Sequence, residues 1–210
     1  MTAMSRAYLE AAESAVRLLR DPAVAAAWDR PSALAEFSVR GLAGHLGCQV
    51  LYSSRLLAAE PTAERPLSLA EFYAAAEAFS TGTDSDVNVR IRKQGEEAAA
   101  RGVEALADEV AAAIDEQRTA LPAEPDDRVV SFGPRPVLLT DFLVTRMMEI
   151  SVHSDDLAVS VGIETPELPE SVVEPVLALL SGLAVRRHGQ TAVLRALSRE
   201  ERAPGTIAAI

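Results

Sequence analysis

From residue 3 to residue 20, AMSRAYLEAAESAVRLLR places Tyr8, Ala12, Ala15, Val16 and Leu19 near the 3.6-residue spacing of one helical face. Asp21-Pro22 ends that pattern and closes a predicted first helix. After a loop holding Trp28, which reads as core, Pro31 and Ser32, a second periodic segment runs from Ser38, a candidate N-cap, to a stop at Pro61. Its buried stripe is Leu42, Leu46, Val50 or Leu51, and Leu57, and it carries His45 near its start. Ser68 with Glu71 three residues later is a capping-box pattern for a shorter helix to about residue 80, before STGTDSD breaks it. From about Val87 to Ala120, Val103, Leu106, Val110 and Ile114 share one face and predict a long helix. Gly95 and Gly102 weaken its first half, by about 1 kcal/mol each relative to alanine.

The pattern changes at LPAEPDDRVVSFGPRPVLL, where prolines, a β-branched run and a Gly-Pro turn predict a small hairpin or extended arm. Helical spacing resumes with Thr140 or Asp141 as cap and stops at Gly162. PESVVEPVLALLSGLAVRRHG, with Pro175 near its first turn, and TAVLRALSR predict two more helices, and GTIAAI a terminal strand. Four or five amphipathic helices on short to medium connections predict an all-α antiparallel four-helix bundle with extra C-terminal helices. The 210 residues show no internal repeat or low-complexity linker, and 49% hydrophobic with 24% charged content fits a single domain over 1–210.

A net charge of −11 argues against nucleic-acid binding through a basic surface and against an anionic membrane as partner. No apolar run is long enough to cross a bilayer, and acidic residues interrupt the N-terminus where a signal peptide needs an apolar stretch, so a cytoplasmic location is expected. Cys48 is the only cysteine, which rules out an intrachain disulfide and a zinc site made mainly of thiolates. A metal here needs histidine and carboxylate ligands.

RMMEISVHSDDL, residues 146–157, sets Glu149 and His153 one turn apart on one side of their helix, while Leu143, Met147, Ile150 and Leu157 form its core side. A carboxylate buried beside an imidazole is costly unless positive charge compensates it, and a divalent cation does so. Of the three histidines, His45 stands in another core helix, and with Glu149 and His153 it makes a two-histidine, one-carboxylate set suited to zinc, nickel or iron(II) with open positions. His188, among arginines at a helix end, reads as a partner of the helix dipole. Spacing alone leaves the commoner alternative open, a solvated pair on an exposed helix.

Trp28, Pro31, Ser32, the run Phe37 to Leu46, LTDFLVTRMMEISVHSDDLA from Leu139 to Ala158, and RRHGQTAVLRALSRERAPG together resemble the mycothiol-dependent maleylpyruvate isomerase family of the DinB-like metal-binding superfamily. The resemblance spans most of residues 5 to 205, and its most specific part is GHL with E-x-x-x-H-x-x-D-L. It implies a four-helix bundle holding a divalent metal, zinc or nickel, through His45, Glu149 and His153, and a low-molecular-weight thiol cofactor, mycothiol or a similar one. In that reading the metal takes the sulfur and presents a thiolate, which adds to an activated double bond and leaves again in an isomerase, or stays on the electrophile in a transferase. The implied partners are the small-molecule thiol and an electrophilic substrate. Family isomerases carry a further C-terminal domain; residues 163–210 are few for one, which marks the chain as a short member.

Around these ligands, Asp156 is a candidate catalytic base or an orienting partner for His153, and a solvated carboxylate otherwise. Arg146, one turn before Glu149, is a candidate for binding a substrate carboxylate, against a structural pairing with Glu149 or Asp141. Gln49, four residues after His45, is placed to face the site; Arg90 and Arg92 are candidates for meeting an acidic cofactor or substrate. Cys48 reads as a small buried hydrophobe. The competing readings are a metal-binding bundle without catalysis, with a stress-related or protein-interaction role, and a vestigial site in a bundle that only associates. A homodimer through a helix face fits any of them.

Overall fold

In the computed structural model, which describes residues 1–75 and 84–210, the chain is a helical bundle with one small hairpin. The helices are α1 (Ala3–Leu19), α2 (Pro22–Ala26), α3 (Val39–Ala58), α4 (Leu69–Ala74), α5 (Asp86–Ala98) and α6 (Val103–Ala120). Strands β1 (Val129–Phe132) and β2 (Arg135–Leu138) pair antiparallel and lead into α7 (Leu139–Val161), α8 (Glu170–His188) and α9 (Gln190–Ser198). No helix among the described residues is long and apolar enough to cross a membrane.

Helices α1 and α3 each pack against both α6 and α7, so these four enclose the core. Tyr8 bonds Gln117 and Arg20 bonds Asp108, which sets α1 antiparallel to α6. Gln49 of α3 meets Arg146 and His45 meets Glu149, which sets α3 antiparallel to α7. The expected core side of α7, Leu143, Met147, Ile150 and Leu157, is fully buried.

Ser38 caps α3 as expected, its hydroxyl accepting from Gly41 N–H at 2.9 Å. The capping box of α4 forms between Ser68 and Glu71; the helix ends at Ala74, and the rest of its expected span lies outside the described residues. The expected helix over 87–120 is two helices. Gly102 adopts φ 96°, a left-handed region open to glycine, and the chain turns there between α5 and α6. Gly95 remains helical because α3 crosses α5 at this point: a Cβ on Gly44 would lie 1.9 Å from the Gly95 carbonyl oxygen. Neither Thr140 nor Asp141 caps α7, since β2 runs directly into it with Leu138 at the cap position and no side-chain bond. Gly162 closes α7 in the left-handed region at φ 75°. Pro175 lies inside α8, beyond its first turn, residues 205–210 form no strand, and Trp28 is only partly buried against the core.

Arg128 fixes the hairpin to the bundle. Its Nη2 donates to the carbonyls of Leu56, Leu57 and Ala59 at 3.1, 3.1 and 2.8 Å, satisfying the open end of α3, while Nη1 pairs with Glu124. Leu67 N–H donates to Pro136 O at 2.9 Å, so the segment before α4 is tied to β2 as well.

Replacing Gly44 with alanine is expected to destabilise the protein by about 3 kcal/mol, because backbone meets the new methyl and cannot move aside as a side chain can. Gly182→Ala in α8, where nothing lies within 4 Å, is expected to stabilise by about 1 kcal/mol. Urea unfolding midpoints of the two variants check both signs.

Candidate metal centre

The α3–α7 contact brings His45, Glu149 and His153 to one point. Their ligand atoms all lie within 4.8 Å of one another, with His153 Nε2 3.2 Å and His45 Nε2 3.9 Å from Glu149 Oε2. The His45 and His153 rings meet edge to face with centroids 4.6 Å apart. Two ligand atoms on one tetrahedral zinc sit roughly 3.4 Å apart, so small side-chain movements suffice for all three to share an ion. The three side chains are 11 to 13% exposed, which leaves a narrow approach from one side.

The charges balance around Glu149, and a metal bound there would displace a proton from His153. Burial works to raise the pKa of Glu149, yet the hydrogen bond from His153 and the positive field of Arg146 outweigh it and hold the carboxyl at about 2. Burial, and then the charge on His153, hold His45 down at about 3, so its lone pair is available. Burial also opposes charge on His153, but Asp156 and Glu149 overcome it and push the imidazole up to about 9. Asp156 Oδ2 lies 2.9 Å from His153 Nδ1. A carboxylate there fixes the proton on Nδ1 and turns Nε2 toward Glu149, the arrangement that orients metal-ligating histidines.

Gln49 does face the site. Its amide nitrogen lies 3.2 Å from His45 Nε2 and donates to His45 O at 3.0 Å, while Oε1 accepts from Arg146 Nη1. Because a guanidinium only donates, Arg146 decides which way this amide points. Arg146 is 5% exposed, and among the described residues its guanidinium forms no ion pair with Asp141, Glu149 or any other carboxylate. Nε donates to Thr145 Oγ1 at 3.1 Å, and the guanidinium lies 5.1 and 4.9 Å from the ring centroids of Phe132 and Phe142. Such ring contacts return about 2 kcal/mol or more each when desolvated, against the several kcal/mol that burying an ion costs.

The triad forms part of the wall of a cavity of about 720 Å³, within the range of small-molecule sites. Phe37, Tyr52, Phe72 and Phe132 supply apolar walls, and Arg146, Gln49, Arg90 and Arg92 also line it. Arg90 is exposed and stands on α5, with no part in the buried cluster. Asp156 does not line the cavity; it lies behind His153. Cys48 is buried and also off the cavity wall. His188 ends α8 and its Nε2 lies 2.8 Å from Ala208 O.

Sequence reading missed Arg135. It lies on β2, also lines the cavity, and stacks at 4.3 Å from the Phe72 ring centroid. Burial, then the charge of Arg146, lowers its pKa. The hairpin pattern itself was readable, but which strand face meets the bundle depends on how Arg128 anchors it, and local spacing carries no such signal.

The family model described as the mycothiol maleylpyruvate isomerase N-terminal domain matches residues 9–158, which include all three residues of the triad. No curated protein and no solved structure matches the chain.

With its pKa raised from 6.5 to about 9, His153 contributes stability to the metal-free fold that is complete below pH 6.5 and lost as pH rises through 9. Asp156→Asn is expected to lower the titration midpoint of His153 and shrink that loss. Imidazole NMR titration of metal-free protein, with urea unfolding at pH 6 and above pH 9, measures both; an unchanged midpoint in the variant would show that Asp156 does not hold the His153 proton.

Proposed function

We propose, from the premise that this chain belongs to the mycothiol maleylpyruvate isomerase N-terminal domain family and has its DinB-like helical fold, that it is a metal-dependent enzyme of thiol chemistry. It uses mycothiol or a similar low-molecular-weight thiol as cofactor and acts on an electrophile, as an isomerase or an S-transferase. The single observation that carries this reading is the convergence of His45, Glu149 and His153 on the wall of a cavity large enough for small molecules.

In this reading His45, Glu149 and His153 hold a zinc or nickel ion. The bound ion supplies Lewis acidity, lowering the pKa of a thiol so that thiolate is present at neutral pH. Glu149 brings the negative charge that draws the cation into a buried place, and its low pKa keeps that charge present at all ordinary pH values. Asp156 acts through His153: at 2.9 Å from Nδ1 it keeps that nitrogen protonated and Nε2 free to ligate, which makes it a positioning residue more than a base toward substrate. Gln49, oriented by Arg146, borders the open side of His45. The aromatic walls keep water from a reactive thiolate and give an electrophile apolar surface to lie on.

Metal analysis by inductively coupled plasma mass spectrometry on untagged protein is expected to find about one zinc or nickel per chain, lost in His153→Ala. A metal at a thousandfold excess over its Kd stabilises by about 4 kcal/mol, so chelation is expected to lower the melting temperature by roughly 8 to 16 °C. Protein that holds no metal, and whose melt ignores added zinc or nickel, would defeat the reading and leave Glu149 and His153 as a structural pair. Loaded protein then enters a screen of thiols against electrophiles, in which consumption of the electrophile must depend on both thiol and metal.

A further inference from the structure

Helix α8 is apolar on two sides. Val172, Val176, Leu179 and Leu183 are buried against the bundle, yet Val173, Leu177 and Val185 are exposed. A helix that is apolar all round ordinarily belongs in an interior. Leu194 and Leu197 of α9 are exposed too, so five of the nine large apolar side chains exposed among the described residues fall on these two helices. The outer face of α8 therefore carries more apolar surface than its own chain covers.

The charges along α8 are divided by end. Glu170 and Glu174 stand in its first half and Arg186 and Arg187 in its last turn, all four exposed and in no ion pair among the described residues. From Pro175 to Arg199 there are four arginines and no acidic residue, in a chain whose net charge is −11. Another acidic chain can approach this stretch without like-charge repulsion.

We propose that the outer face of α8 binds the same face of a second copy of this chain, antiparallel, across a two-fold axis near Leu180. Glu174 and Arg186 are each six residues from Leu180, so Glu174 of each copy meets Arg186 of the other, and the pair forms twice. Ala178 and Gly182 face one another in this register with Ser181 beside them, and these small residues let the helices approach closely while Leu177 and Val185 pack alongside. An antiparallel pair also sets opposite ends of two helix dipoles together. A different protein would have to match this division of charge, whereas a second copy matches it by symmetry.

The pairing closes a groove of about 320 Å³ between α7 and α8, walled by Val173 and Leu177 with Asp155 and Asp156 on its α7 side. The same register brings Arg187 of the second copy beside Val173, at the mouth of this acidic groove. Asp156 lies 2.9 Å from His153 Nδ1, so the second copy covers the triad from the side away from the cavity. The pairing itself needs neither metal nor thiol and stands apart from the reading of the triad.

Sedimentation velocity of the full chain over a range of concentrations is expected to show a monomer–dimer equilibrium. Leu177 is 56% exposed in the single chain, so Leu177→Glu is expected to keep the circular dichroism of the unaltered protein and to sediment as a monomer. Arg186→Glu is expected to weaken the dimer about tenfold, because it sets like charges opposite one another at two places. Adding Glu174→Arg to Arg186→Glu reverses both signs and is expected to restore the dimer, a rescue that requires these two ends to meet. A chain that stays monomeric at every concentration overturns the proposal and leaves the face to a different protein. A dimer that survives Leu177→Glu, or a charge reversal without rescue, overturns it as well.

Discussion

A buried carboxylate governs this structure. Glu149 sits at 12% side-chain exposure in the middle of α7, a helix whose neighbouring positions are core, and a carboxylate there is costly unless positive charge surrounds it. His153 from the next turn and Arg146 from the preceding turn supply that charge, and the neutral His45 of α3 meets the same carboxylate oxygen at 3.9 Å. Each then needs its own support: His153 leans on Asp156, Arg146 on Gln49, Thr145 and two phenylalanine rings, and His45 on Gln49. Glu149 therefore organises a polar cluster that crosses from one helix to another, and a cation that binds there joins a place already arranged for positive charge.

Backbone packing makes the crossing rigid enough to hold such a cluster. Gly41, Gly44 and Gly95 let α3 and α5 approach until only hydrogens fit between them, and Gly47 leaves room for Leu106 and Val110 of α6. With α3 held from that side, its His45 edge is presented to α7. The far end of α3 is closed by Arg128, whose three carbonyl contacts carry the hairpin with them and bring Phe132 and Arg135 over the cavity. The same helix thus fixes a metal-ligand candidate at one end and the cavity's aromatic wall at the other.

These two devices also explain what the sequence did and did not disclose. Periodicity was sufficient for α1, α3 and α7 because their apolar stripes are long, and Ser38 and Gly162 mark a start and a stop locally. It joined α5 to α6 because the face defined by Val103, Leu106, Val110 and Ile114 continues a helical pattern, and one glycine's backbone angle decides the break. Gly95 and Gly102 look alike in sequence, yet one is a packing contact and the other a turn. The meeting of His45, Glu149 and His153 was suggested by the few histidines together with the family resemblance, since spacing alone left a solvated pair open. Arg135 was not, because its place depends on a hairpin anchored by Arg128 contacts 69 to 72 positions away.

The layout also limits which parts of the chain can carry specificity. Every residue lining the cavity falls between Leu34 and His153, inside the segment that the family model matches. Helices α8 and α9 contribute none of them; α8 packs on α1 and α7, and α9 on α8. Helix α8 reaches the site indirectly, through its contacts with α7 and α4. The loop carrying Leu34 and Phe37, α4 with Phe72 and Tyr73, α5 and the β1–β2 hairpin are therefore the elements that line the cavity without contributing to the triad, and differences in the shape of its wall arise there.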